Sequence, residues 1–135
     1  QDALPLVASE LARLCSKKSR WIVMDTDWSG VKFTTGMSIE SDIISIFTDS
    51  VENGRVVHHI ETLISKLGFR TLKRHRFEIA IKDRMNVPHL NSTFLSELEV
   101  DPLELKPWLS QVEKTETEEG VLCIIPIQAF TFVPR

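Results

Sequence analysis

Tyrosine is absent from this 135-residue chain, glycine occurs five times and cysteine twice. So few glycines leave little of the φ > 0 freedom that phosphate-cradling loops use, and neither G-x-G-x-x-G nor G-x-x-x-x-G-K-[ST] occurs. No serine stands in a G-x-S-x-G elbow, which removes one route to a nucleophilic enzyme. Cys15 and Cys123 sit alone in apolar surroundings with no C-x-x-C spacing, a pattern that suits buried structural thiols in a reducing compartment. Apolar runs all fall short of the ~18 residues a membrane-spanning helix needs, and the first residues lack the charged-then-apolar order of a signal peptide. The expected location is therefore the cytosol or the nucleus, where the sequon Asn91-Ser92-Thr93 is irrelevant. Charge of one sign is lacking too: 16 basic against 19 acidic residues give a formal charge of -3, so any attraction to an anionic partner must be local.

What is there is concentrated between Arg55 and Lys82. Val56, Val57, Ile60, Leu63, Ile64 and Leu67 recur at helical spacing and predict one continuous apolar face. Gly68 follows the last of them, where a left-handed cap ends a helix cheaply, and Phe69 can fold back on the last turn. Phe77, Ile79 and Ile81 then alternate with polar or small residues as in a half-buried strand. Between helix and strand Arg70, Lys73, Arg74, His75 and Arg76 make a cationic cluster, the expected binding surface. Lysines and arginines on a solvated strand edge also serve to discourage edge-to-edge pairing.

The remaining chain reads as one globular domain over residues 1–135, large enough to bury a core. Asp2 before Pro5 marks a helix start with a stripe of Leu4, Val7, Leu11 and Leu14, closed by Lys17, Lys18 and Arg20. Residues 21–33 read as a hairpin turning at Ser29-Gly30. Residues 42–48 and 94–100 fit helix or strand, Asp49 to Gly54 (with Asn53) a turn, and residues 83–93 a polar loop. Asp101-Pro102 is an N-cap signal for a helix whose face is Leu105, Trp108, Leu109 and Val112, running out into an acidic loop at residues 113–120. The last segment is a strand in which Pro126 implies an edge position or a bulge. The expected class is α+β, a small, mainly antiparallel sheet with two to four helices packed on one face.

Two carboxylates at i, i+2 on a strand can hold a divalent metal, which singles out Asp25 and Asp27. The run IVMDTDWSG, with DIISIFTDSVENGRVVHHIETLI after it, resembles the opening of proofreading-type exonucleases. That resemblance implies metal binding by Asp25 and Asp27, with Asp27 standing where the family has Glu; it ends near residue 64, leaving the family's later acidic motifs unmatched. His58 and Glu61 lie at i, i+3 but belong to no H-E-x-x-H pattern, so no metal or other cofactor is expected.

The helix-to-strand stretch VVHHIETLISKLGFRTLKRHRFEIAIK resembles the kinase-associated regulatory domain at the C-termini of checkpoint, calcineurin-B-like-interacting and AMP-activated-type kinases. The likeness covers about residues 46–84, including Phe47-Thr48, and departs at the C-terminus, where the family closes with a helix and this chain has a strand-like segment. It implies a non-enzymatic domain that binds anionic phospholipid or an acidic protein partner, or docks on a kinase domain to inhibit it. Nucleic acid ranks lower, since Phe69 and Phe77 are needed for the core.

Overall fold

Five α-helices and four strands are formed among residues 3–52 and 54–135, which the computed structural model describes. In chain order they are α1 (Leu4–Leu14), β1 (Trp21–Thr26), β2 (Lys32–Phe33), α2 (Ile39–Ser50), α3 (Ile60–Ser65), β3 (Phe69–Ile81), α4 (Ser92–Glu97), α5 (Pro102–Thr117) and β4 (Cys123–Pro134). The strands make an antiparallel open sheet, so the class is α+β, with one helix more than the two to four expected. Residues 42–48 and much of 94–100 resolve as helix, in α2 and α4.

The sheet is built on β4. It pairs with β1 in the register Trp21↔Phe132 to Thr26↔Ile127, with β2 as Lys32↔Ile124 and Phe33↔Cys123, and with β3. Residues 21–33 are therefore not a hairpin: β1 and β2 each pair with β4, and a 3-10 turn, Trp28–Gly30, lies between them. This corrects the edge position expected for the last strand. Pro126, with no N–H to give a ladder, falls where the register with β1 has ended and that with β2 has not begun; its carbonyl accepts from Asp27 N–H at 2.9 Å. The extra residues, 27–31, lie on the β1–β2 side of the pairing, opposite Ile125 and Pro126.

Tertiary contacts divide the chain into two compact units. The first comprises Gln1–Thr26, Val56–Phe77 and Ile127–Arg135. Its core is Ala8, Val57, Ile60, Ile64, Phe69, Phe130 and Phe132, with Trp21 tilted against Phe69 at 5.3 Å. The expected face of residues 56–67 is buried or half-buried, but the helix is not continuous: a 3-10 turn, Val56–His58, precedes α3. Gly68 has φ +85° and its carbonyl accepts from Arg135 N–H at 2.9 Å, so the left-handed stop stands where expected.

α1 corrects the sequence in a different way. The stripe expected inside is outside: Val7, Leu11 and Leu14 are exposed, and the helix packs through Ala8, with Ala12 and Cys15 half-buried beside it. Small side chains let the helix approach the aromatic core closely, a preference that apolar periodicity does not encode. The helix ends at Leu14, so Lys17, Lys18 and Arg20 follow it instead of closing it; its expected start, Asp2, lies outside the described residues, as does Asn53 of the turn before Gly54.

The second unit comprises Asp27–Arg55 and Glu78–Pro126. Asp101 caps α5, its Oδ1 accepting from Leu103 N–H at 2.9 Å, and Trp108 and Val112 are buried as the spacing predicts. α5 continues to Thr117, through much of the expected acidic loop, and Glu116 accepts from Arg84 N–H at 2.7 Å. The connection at residues 83–93 is no solvated loop either: it holds two 3-10 turns and buries Val87, His89 and Leu90. His89 packs among Trp28, Phe33 and Phe47.

Candidate functional site

The basic run is not a link between helix and strand but part of β3, which is exposed at every residue from Leu72 to Ala80. The strand expected to be half-buried leaves Phe77 36% and Ile79 43% exposed. Alternation marks one apolar side of a strand; it does not supply a layer to cover that side. The period of two also parts the five residues, with Arg70, Arg74 and Arg76 alternating against Lys73 and His75. His75 lies near Phe77, ring centroids 5.9 Å apart.

What the fold assembles is a concavity of about 440 Å³ between α3 and the start of β3, lined by Arg70 and Arg74 together with Arg135. Arg135 lies far from the basic run in sequence. It arrives because β4 runs antiparallel to β3, which sets the end of one strand beside the beginning of the other. The only sequence signal for it was a cation at the end of a strand-like segment. Its Nη2 donates to Ser65 Oγ at 2.8 Å and its Nε to the Phe69 carbonyl at 3.3 Å, which fixes the guanidinium at the rim.

Arg74 is held by Glu61 of α3: Nη2 donates to Oε2 at 2.6 Å and Nε to Oε1 at 2.5 Å, a fork-to-fork pair. Thr71 Oγ1 donates to the same Oε2 at 2.9 Å. The Arg74 hydrogen bond holds the Glu61 carboxyl below its usual range against the opposing effect of burial, and Glu61 in turn raises Arg74. Glu61 is thus an anion already in place. Arg70 has no carboxylate partner among the described residues. Counted by side chains, three guanidiniums and one carboxylate leave the concavity with two positive charges in excess. Lys73, His75 and Arg76 do not line it.

Asp25 and Asp27 fall in different units. Asp25 is exposed, its Oδ1 accepting from Thr26 N–H at 2.7 Å, and the small cavity it borders is otherwise lined by Leu4, Val23, Val56, Val57, Ile60 and Phe130. Asp27 is buried and accepts from Ser29 Oγ at 2.7 Å. No group of three or more His, Cys, Asp or Glu side chains placed to hold a metal occurs among the described residues. No helix there is long and apolar enough to cross a membrane. Comparison with protein-family models, with curated proteins and with solved structures finds no match.

Proposed function

We propose that this chain is a non-enzymatic interaction module that binds an acidic protein partner through the arginine-lined concavity between α3 and β3. The observation that carries the reading is the convergence of Arg70 and Arg74 of β3 with Arg135, just past β4, on one open site with excess positive side-chain charge. Arginine suits the task because its planar fork matches a carboxylate or phosphate in two-point geometry and is only weakly hydrated. The exposed Lys73 further along β3 extends the favourable field beyond the site. The likeness of residues 46–84 to kinase-associated regulatory domains supplies a class of partner, the acidic face of a protein kinase, with an inhibitory contact as the outcome. Anionic phospholipid is the second reading. It is favoured by Leu72, 46% exposed and, by the period of two, on the same side of β3 as Arg70, Arg74 and Arg76.

Replacing Arg70 and Arg135 with Gln tests the reading. Binding of an acidic peptide should weaken strongly in the double variant, and the parent's own binding should fall steeply as salt is raised, since charge attraction at exposed sites is screened over about 8 Å at physiological ionic strength. Undiminished binding by the double variant would remove the concavity from consideration. Retention of the parent on anionic vesicles, with no peptide binding, would transfer the function to lipid.

A further inference from the structure

We infer that the concavity selects a phosphomonoester, a phosphorylated serine or threonine on an extended peptide segment, with Glu61 as its built-in competitor for Arg74. The inference rests on the proposed function and narrows its ligand.

Charge and donor count point to phosphate rather than carboxylate. A partner carboxylate arriving at Arg74 would exchange one for one with Glu61, which already holds both arms of that guanidinium and a hydroxyl donor from Thr71. Such an exchange leaves the site's charge unbalanced. A phosphomonoester carries about -1.5 to -2 and three strong acceptor oxygens. It can meet the two excess positive charges and reach Arg70, Arg74 and Arg135 at once. Arg135 is prepared for this: its contacts to Ser65 and Phe69 use Nε and one Nη2 hydrogen bond, leaving further donors of the five on a guanidinium.

The surroundings point to an extended peptide rather than a membrane. Among the described strands β3 pairs with β4 alone, so its other edge offers a row of N–H and C=O groups to a segment laid alongside it. The concavity is lined by Glu61, Thr62 and Ser65 of α3 and by the first residues of β3, Phe69 to Thr71 and Arg74. A second copy of this chain is a poor occupant of the edge, because β3 against β3 would set Arg70, Lys73, Arg74 and Arg76 of two molecules side by side.

Titrating the full chain with three heptapeptides, Gly-Val-Asp-Xaa-Val-Asp-Gly with phosphoserine, glutamate or serine at Xaa, tests the inference. The phosphoserine peptide should bind at least about tenfold more tightly than the glutamate peptide. Its advantage should shrink as pH falls below about 6, where the phosphate takes up its second proton. Glu61→Gln should tighten binding of the phosphopeptide by releasing Arg74, whereas Arg70→Gln and Arg135→Gln should each weaken it about tenfold or more. Arg135 also ties down the start of β3, so the Arg70 variant is decisive if Arg135→Gln lowers the melting temperature. Equal binding of the phosphoserine and glutamate peptides overturns the phosphate inference and leaves the acidic-partner reading standing. Failure of all three to bind overturns both. Binding to vesicles bearing a phosphomonoester lipid, with no peptide bound, overturns the choice of peptide over membrane.

Discussion

Acidification should destabilise this protein well above the carboxylate range, and His89 is the reason. The imidazole is fully buried, tilted against Phe47 with ring centroids 3.9 Å apart and edged by Phe33 at 5.5 Å, and neither ring nitrogen has a hydrogen-bond partner. Burial pushes its pKa down to about 4 from an ordinary 6.5. Between those values the unfolded chain binds a proton that the folded chain does not, so stability rises with pH and is lost as pH falls. At about 1.36 kcal/mol per unit, the loss is about 2 kcal/mol between pH 7 and pH 5 and about 3 kcal/mol by pH 4. That is a large share of the ~5–15 kcal/mol a domain has. The assay is urea unfolding at half-unit pH steps on the parent and on His89→Phe, whose ring keeps the aromatic packing and cannot take up a proton. Glu40 acts in the opposite sense: burial chiefly raises its carboxyl, against the hydrogen bond from Trp108, so its share of stability falls as pH rises. Subtracting the two curves cancels Glu40 and isolates His89. A parent and a variant with the same slope from pH 7 to pH 5 would refute the reasoning.

Ile64→Ala, at a core position 1% exposed, should cost about 2–5 kcal/mol in urea unfolding, and Leu63→Ala, half-buried one position earlier, clearly less. Equal costs would mean that α3 has been set on the wrong face. Under native conditions a thiol reagent should modify Cys15 and spare Cys123, which is fully buried with its pKa raised to about 11 by burial. Cys123 should react only on unfolding, and two fast thiols in the native protein would contradict its burial.

Local chemistry was readable wherever a residue's role depends on its near neighbours. The Asp101-Pro102 cap and the stop at Gly68 are set by hydrogen bonds and dihedrals within a few residues, and the Trp108–Val112 face of α5 by helical spacing; each stands as the spacing predicts. The basic run was legible as a cluster of cations, since composition alone reveals it. What it becomes was not: strand or connection, exposed or half-buried, depends on what packs against it.

The sequence by itself determined that the chain has an apolar core, an antiparallel strand-forming tail and one dense patch of arginine, because periodicity and composition are properties of neighbours along the chain. Tertiary structure alone decided the rest, because burial and pairing are properties of neighbours in space. Two apolar stripes of α1 competed for the interior, and the small side chain of Ala8 won over Val7, Leu11 and Leu14. Pro126 allowed an edge or a bulge, and pairing in space decided between them: β4 became the middle of the sheet, with the missing N–H falling where the residues between β1 and β2 bulge away. Antiparallel pairing of β3 with β4 then brought Arg135 beside Arg70 and Arg74, turning a row of charges into a concave site.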